Sequence, residues 1–243
     1  MPLLAKLRGE NKVRIETLEA SGRWFKNKYK VTPPTSFSVS KDMAGSDRKT
    51  LWFNSRFYRI NLLWENGGLR IRDIHLFNEQ MPSVYETQPV TANECTFFTL
   101  PVVDGYLWSN RDDAGLRLKA MINGQEILLQ GGTPQFSTAG TGTMKVNWPL
   151  TSIEGTLEIA LTEKQAHIKL IAGKPLAWYF DLTTAAGKPL PFTTVSPKSV
   201  ACHFENMDYA VNASKGYFSK PDNNAAFRLS PDRGEIVIDF DRQ

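Results

Sequence analysis

Hydrophobic and polar residues alternate along most of this chain of 243 residues. In the segment YRINLLWENGGLRIRDIHLF, residues 58–77, apolar side chains occupy every second position of the first half, up to Trp64. After an Asn-Gly-Gly turn, the alternation resumes with Leu69 and Ile71. Because successive side chains of a β-strand point to opposite faces, the pattern predicts a hairpin with one buried face.

The same period of two recurs in later segments. LRLKAMINGQEILLQG places Asn123-Gly124 between two β-like runs, which is the strongest short-range hairpin signal. TLEIALTEKQAHIKLIAG is predicted to pair its arms across residues 163–165, and AAFRLSPDRGEIVIDFD across Pro231–Gly234. Only NKVRIETLEASGRWF fits a helical period, and it fits loosely. Since no helix of about 10–15 residues separates the strands, a parallel βαβ sheet is excluded.

The pattern therefore predicts an all-β fold, a large antiparallel β-sandwich of two sheets with little helix. Residues 48–243 are expected to form the sandwich. Residues 1–47 are expected to form a leading flap or added strands, because Thr32–Lys49 is rich in Pro, Ser and Gly and resembles a long loop or sheet edge. The two segments are expected to belong to one structural domain.

The strand after the first turn contains an irregularity with two interpretations. Asp73 and His75 occupy the parity of the buried face, and Ile74 and Leu76 occupy the polar one. A regular strand would place the acid and the imidazole inward as a pair for proton transfer to a sugar oxygen. A β-bulge near Arg72 would instead return the two apolar residues to the core and expose the polar pair. The bulge is favoured, because burying an acid and an imidazole without partners is costly.

A second candidate pair lies in the segment CHFENMDY, where His203 and Glu205 share one strand parity. Together with Asp73 and His75, these residues are the candidate acid–base groups of a sugar-acting enzyme. The chain has only three histidines and no HxH or HExxH spacing, so no metal site is expected. It also lacks the GxSxG, P-loop and GxGxxG motifs, so no cofactor is expected.

Aromatic residues close to predicted turns suggest a surface for carbohydrate. Trp64 adjoins the first turn, and Trp108 lies in the loop segment DGYLWSNRDD. A sugar ring could stack on either indole ring, while the side chains of Arg70, Arg72 and Asn110 bond its hydroxyl groups. The alternative interpretation is that the tryptophans are core residues, which is the usual place of large aromatic side chains.

The positive charge is concentrated at the start of the chain. Residues 1–31 contain eight Lys or Arg and three Glu, a net charge of +5, whereas the whole chain has +4. A near-neutral body with one basic segment does not suit a nucleic-acid groove, so this segment is interpreted as a solvated arm or edge strand. No membrane span is expected, because no run approaches the roughly 18 apolar residues that a spanning helix needs.

The two cysteines and the N-terminus leave the cellular compartment open. Cys95 and Cys202 lie far apart and are interpreted as unrelated buried thiols, with a disulfide as the alternative in an oxidising space. The apolar run Pro2–Ala5 is too short for a secretory signal. The protein is expected in the periplasm or at the cell surface if a signal was removed, and in the cytoplasm otherwise. The pattern does not specify an oligomeric state.

The segment Trp52–Asn110, with YRINLLWENGGLRIRDIHLF, PVTANEC and TLPVVDGYLWSN, resembles a group of uncharacterised gut Bacteroidetes proteins encoded among polysaccharide-degradation genes. The strand-rich remainder resembles the mutarotase-like β-sandwich, or super-sandwich, that precedes the helical catalytic barrel in several glycoside hydrolases. This resemblance implies a carbohydrate partner and a periplasmic or surface setting.

Because the helical barrel is missing and no catalytic residue can be carried over, the resemblance implies an accessory module that binds or positions glycans. One alternative is a sugar-acting hydrolase, lyase or epimerase that uses the acid–base candidates. Another is a structural domain whose sheet edges bind other proteins.

Overall fold

The computed structural model describes residues 2–82, 84–89, 91, 99–111, 113–140 and 142–241. The chain divides into two compact units, Met1–Pro33 and Pro34–Gln243. Cys95 lies outside the described residues, whereas Cys202 is a free, buried thiol. Burial raises the pKa of the Cys202 thiol to about 12.

The first unit is helical. Helix α1 spans Pro2–Gly9 and helix α2 spans Leu18–Lys28. The side chain of Thr17 caps α2 by accepting a hydrogen bond of 3.1 Å from the backbone N–H of Ala20. The sequence pattern pointed loosely to α2 and did not predict α1. No helix among the described residues is long and apolar enough to cross a membrane.

The described residues of the second unit form antiparallel strands and one short 3₁₀ turn, Val84–Glu86. The strands are β1 Thr35–Val39, β2 Lys49–Asn54, β3 Tyr58–Glu65, β4 Gly68–Leu76, β5 Leu100–Asp104, β6 Gly115–Ile122, β7 Gln125–Leu128, β8 Gln135–Thr138, β9 Met144–Pro149, β10 Gly155–Leu161, β11 Gln165–Ala172, β12 Ala177–Thr183, β13 Phe192–Val195, β14 Ser199–Phe204, β15 Met207–Lys215, β16 Tyr217–Ser219, β17 Arg228–Ser230 and β18 Glu235–Asp239.

These strands form two sheets. The ten-stranded sheet has the order β1-β2-β3-β4-β6-β12-β17-β16, with β5 paired to β4 and β7 paired to β6. The eight-stranded sheet has the order β13-β14-β15-β18-β11-β10-β9-β8. The predicted all-β fold of two antiparallel sheets is confirmed. The compact units separate at Pro33 rather than near residue 47, because β1 pairs with β2 as an edge strand of the ten-stranded sheet.

Two of the predicted hairpin turns have the backbone conformation that their sequence demands. Asn66-Gly67 and Asn123-Gly124 all have positive φ, as two-residue hairpin turns that match the strand twist require. The turn predicted at Pro231–Gly234 is present, with Arg233 and Gly234 at positive φ, but the hairpin predicted around it is not, because the two arms do not pair beyond the isolated bridge of Asp232 with Glu235. This segment instead connects β17 of one sheet to β18 of the other, so the chain changes layers here.

Inward-facing side chains of both sheets form one core. The rings of Tyr58 and Phe240 stack at 3.9 Å between centroids. The hydroxyl of Tyr58 donates a hydrogen bond of 2.8 Å to the carbonyl of Thr162, next to the eight-stranded sheet. The hydroxyl of Tyr209 donates one of 2.6 Å to the carbonyl of Pro101 in β5. The hydroxyl groups of these two tyrosines therefore link the layers within largely apolar packing.

Candidate functional site

The irregularity in β4 is a β-bulge at Arg72. Asn61 pairs with Asp73 and the next residue, Leu62, pairs with Ile71, so Arg72 is the extra residue on β4. The bulge reverses the parity of the strand beyond it. Ile74 is consequently buried in the core with 1% of its surface exposed, as the favoured interpretation predicts.

The same interpretation is wrong about Asp73 and His75. Both lie on the outer face of the ten-stranded sheet, yet they are buried rather than exposed. Each has a partner there. The guanidinium of Arg59 donates hydrogen bonds of 2.8 and 3.1 Å to the two carboxylate oxygens of Asp73. The Nδ1 atom of His75 lies 2.7 Å from the hydroxyl oxygen of Thr99.

A third ionisable residue, Asp104 of β5, joins this cluster. The Nε2 atom of His75 lies 3.4 Å from the nearer oxygen of Asp104 and 3.6 Å from that of Asp73. Asp104 also accepts hydrogen bonds from the backbone N–H groups of Tyr106 and Leu107, at 2.9 and 2.7 Å. Burial acts to raise the pKa of Asp104, but the contact with His75 and the two amides hold it below its ordinary value.

The Asp73–His75–Asp104 cluster is better explained by structure than by catalysis. All three side chains are buried, so little of any one of them faces solvent. Their contacts connect β3, β4 and β5 across the outer face of the sheet. Among the described residues, no group of three His, Cys, Asp or Glu side chains could hold a metal ion.

The other acid–base candidates lie in the eight-stranded sheet. His203 is at the end of β14, and its Nδ1 atom is 2.7 Å from a carboxylate oxygen of Asp208. Both side chains are exposed. Glu205 occupies the turn to β15 with a φ of 48°. The four predicted acid–base residues are therefore divided between two sheets and do not form one site.

The two candidate tryptophans belong to the core. Trp64 and Trp108 expose 3% and 4% of their surface. Trp64 packs edge-on against Phe136, and Trp108 packs in the same way against Phe192. Neither ring presents a face on which a ligand could stack, so the core interpretation explains both residues.

Sequence reasoning missed Tyr106, the exposed aromatic residue of the same loop. Tyr106 exposes 87% of its surface and Leu107 exposes 59%. The side chain of Asp104 caps this turn, while Trp108 fixes its other end in the core. The Asp-Gly pair at the end of β5 marks the turn, but nothing in the sequence distinguishes the exposed ring from the buried one.

The polar ligand-binding candidates differ in their surroundings. Arg70 is buried, pairs with Glu65 at 2.6 Å and donates a hydrogen bond of 3.0 Å to the carbonyl of Ala114. Burial and the nearby charge of Arg70 lower the pKa of Arg72, whose guanidinium lies 5.7 Å from the ring centroid of Trp52. Asn110 is exposed in the loop. These candidates do not line one common pocket.

A groove of about 420 Å³ crosses the outer face of the eight-stranded sheet, over β8, β9, β10, β11 and β18. We call it the outer-face groove. Its polar lining comprises Ser137, Lys145, Asn147, Glu158, His167, Lys169 and Glu235. The small side chain of Ala160 and the apolar side chain of Val237 lie between these groups on the same face. No sequence motif marks this groove, because its residues come from five separate strands.

The strand register places the lining residues in two neighbouring rows. One row contains Lys145, Ala160, His167 and Val237, each opposite the next on the adjacent strand. The other row contains Asn147, Glu158, Lys169 and Glu235 in the same strand order. Because neighbouring strands lie about 4.8 Å apart, four strands extend each row over about 14 Å.

Several polar groups of the outer-face groove are available to a ligand. Lys169 pairs with Glu235 at 3.5 Å, and His167 contacts Gln165 at 2.9 Å. By contrast, three lining side chains make no hydrogen bond or ion pair with the part of the chain that the structure describes. These are Lys145, Asn147 and Glu158.

Comparison with known proteins gives no family assignment. No protein-family model matches the chain, and no curated protein or solved structure matches it. The resemblance to Bacteroidetes proteins and to the mutarotase-like sandwich therefore stays a prediction.

Proposed function

We propose that the Pro34–Gln243 unit is a non-catalytic carbohydrate-binding sandwich and that it binds an oligosaccharide in the outer-face groove. One observation carries the proposal: a groove of about 420 Å³ combines unpartnered hydrogen-bonding groups with a small apolar floor. Small-molecule sites usually have volumes of about 300–1,000 Å³ and a few well-placed polar groups. The groove meets both conditions.

The three unpartnered side chains suit the chemistry of a sugar. Each hydroxyl group of a sugar both donates and accepts hydrogen bonds. The ammonium group of Lys145 donates, the carboxylate of Glu158 accepts, and the amide of Asn147 does both. Ala160 leaves room above the sheet for a ring, and the C–H face of that ring can pack on its methyl group. Val237 lies two strands away and can contact a neighbouring sugar of the oligosaccharide.

The charge of the groove favours a neutral glycan. Lys145 and Lys169 are balanced by Glu158 and Glu235, and both signs occur in neighbouring rows. A polyanionic glycan would meet two carboxylates in the same space, where like charges repel. A neutral oligosaccharide can instead form charge-assisted hydrogen bonds to both kinds of group.

The proposal is tested by screening the full chain on a glycan array and measuring affinities by calorimetry with neutral plant and host oligosaccharides. Ala160→Phe should abolish binding because the new ring fills the groove above the sheet. Asn147→Ala should weaken binding about 3- to 10-fold, the usual effect of losing one hydrogen bond.

Thr156→Phe is the matched control. Thr156 lies on β10 like Ala160, and at even spacing on the same face, but it does not line the groove. This variant should bind as the parent chain does. Full affinity in Ala160→Phe, or no binding to any glycan on the array, would contradict the proposal.

The enzyme alternative rests on the converging side chains of Asp73, His75 and Asp104, and it makes a different prediction. A His75→Ala variant that folds should keep its glycan affinity if the groove is the site. If the parent chain cleaves or isomerises a glycan and folded His75→Ala does not, the cluster acts in catalysis and the non-catalytic assignment fails.

A further inference from the structure

The first unit exposes an unusual amount of apolar surface. All residues of α1 and α2 are described, and neither helix has a buried side chain. Large apolar residues are nevertheless frequent there, with exposures of 67% for Leu3, 43% for Leu4, 91% for Leu18, 47% for Trp24 and 38% for Phe25. A simple solvated arm does not need these residues, and contiguous exposed apolar surface usually marks a binding surface.

Two apolar residues of α2, together with the residue that ends the helix, form an apolar stripe. Leu18 and Phe25 are seven residues apart and share one side of α2, and the C-cap residue Tyr29, which has extended backbone, continues the stripe by packing against the ring of Phe25. The ring centroids of Phe25 and Tyr29 lie 4.9 Å apart, and those of Trp24 and Tyr29 lie 6.1 Å apart. The helix is therefore amphipathic, with an aromatic cluster at its C-terminal end.

The helices also have an excess of positive charge. Residues 1–31 contain eight Lys or Arg and three Glu, a net charge of +5. Four basic side chains have no carboxylate partner in the part of the chain that the structure describes. These are Arg8, Lys26, Lys28 and Lys30. The Nζ atom of Lys28 lies 4.9 Å from the ring centroid of Trp24, so cation and aromatic ring adjoin.

We propose that residues 2–31 bind the surface of an anionic phospholipid bilayer. A short amphipathic helix with Lys and Arg on its polar side and Trp, Phe and Leu on the other lies in the membrane interface. The aromatic stripe of α2 would enter the boundary between headgroups and acyl chains, and the unpartnered cations would face the anionic headgroups. At about 1.5 Å per residue, α2 is about 16 Å long and can only lie along the surface.

The charge and the apolar stripe together select this partner over two others. Nucleic acid would attract the cations but would leave the Leu18–Phe25–Tyr29 stripe in water. A second copy of the chain could cover that stripe, but it would bring another net charge of +5 to the same place. An anionic bilayer satisfies both features. This inference does not depend on the proposed function of the outer-face groove.

The experiment is co-sedimentation of the full chain with vesicles of phosphatidylcholine alone or with about one-third phosphatidylglycerol. We expect at least about 10-fold stronger binding to the anionic vesicles, and weaker binding in high salt, because screening shortens the reach of surface charges. Tryptophan emission should shift to shorter wavelength on binding. Of the six tryptophans, Trp24 is the one that is exposed, so Trp24→Phe should remove this shift.

Paired variants separate the two contributions. Lys26→Ala with Lys30→Ala should weaken binding to anionic vesicles about 30-fold, since each basic residue near the surface contributes about a factor of five. Lys174→Ala with Lys220→Ala removes the same charge from exposed positions of the other unit and should leave binding unchanged. The double variant Trp24→Ala with Phe25→Ala should weaken vesicle binding both in low and in high salt, because salt does not screen the apolar contribution.

Three results would overturn the inference. The first is equal affinity for neutral and anionic vesicles, and the second is no vesicle binding with no emission shift. The third is a tighter interaction with another partner through the same residues. This would appear as self-association in sedimentation velocity, or as binding to a DNA duplex, that is stronger than vesicle binding and is lost in the Trp24 variants. The β-strand signal in circular dichroism, measured on the same preparation, reports separately whether the second unit is intact.

Discussion

At the scale of single residues, Asp181 shows how this fold keeps a charge away from water. Its carboxylate is fully buried and accepts hydrogen bonds of 2.7 and 2.9 Å from Arg228. Asn223 and Lys119 lie at 3.1 and 3.3 Å. Burial acts to raise the pKa of Asp181, but Arg228 and Asn223 hold it below its ordinary value, so the group stays ionised. The pairing connects β12 to β17 and β6.

We expect Asp181→Ala to lower the free energy of unfolding by about 2–4 kcal/mol. The change leaves Arg228 and Lys119 without their shared partner, and removing one member of a buried pair costs about 3–5 kcal/mol, less where the partners reach water. Urea denaturation measures the loss. Asp208→Ala is the control, since this acid is 89% exposed and should change stability by less than about 0.5 kcal/mol. Equal losses in the two variants would show that the Asp181 network contributes nothing.

A pH dependence follows from Asp104. Its pKa is lower in the folded chain than in the unfolded one, so its ionised form stabilises the fold. This stability is complete above the unfolded pKa of about 3.9 and is lost as the pH falls through the folded pKa. The free energies of unfolding of the parent chain and of Asp104→Asn should therefore differ most near pH 7 and converge below about pH 4. Urea unfolding at several pH values measures this difference. A difference that grows as the pH falls would contradict this assignment.

At the scale of elements, alternation predicted most of the strands, three hairpins and the bulge at Arg72. Period two specifies which side chains share a face, and the cost of burying Asp73 and His75 inside the core predicted the bulge. It does not specify what covers the other face, so the burial of both residues there could not be predicted. It also does not identify the layer that a strand joins, and for that reason the strands on either side of the turn Pro231–Gly234 were wrongly predicted to pair.

The contact between the bulge and β5 makes Gly105 hard to replace. Its N–H donates a hydrogen bond of 2.7 Å to the carbonyl of Arg72, and an added Cβ would lie 2.5 Å from that oxygen. We expect Gly105→Ala to lower the free energy of unfolding by about 1–3 kcal/mol, because a backbone atom must move. In Gly132→Ala the nearest atom would be 3.8 Å away, so denaturation should show a change below about 0.5 kcal/mol. A stable Gly105→Ala would mean that the bulge shifts freely.

The outer-face groove could not be found from the sequence for a related reason. Lys145, Glu158 and His167 each look like an ordinary exposed residue of an alternating strand. They become a site only through the register of β9, β10 and β11, which depends on long-range pairing. The prediction that Trp64 and Trp108 bind a ligand was wrong for a different reason. A large aromatic side chain gains more from burial in the core than from a place near a turn.

At the scale of the molecule, the two compact units differ in how they are stabilised. The second has a core shared by two sheets, whereas the helices of the first bury no side chain. We expect a chain that starts at Pro34 to unfold within about 2 °C of the full chain, because removing exposed helices changes stability by less than about 0.5 kcal/mol. Circular dichroism checks the midpoint. A fall of more than about 5 °C would show that the helices stabilise the sandwich.

The hydroxyl groups of Tyr58 and Tyr209 each reach a backbone carbonyl across the core, at separate places. The layers also share one packed core, and polar links at separate places add to its resistance against rotation of one layer relative to the other. We therefore expect the eight-stranded sheet to keep its curvature and orientation when a ligand occupies its outer surface, so that recognition proceeds on a rigid template and adaptation is confined to side-chain rotamers.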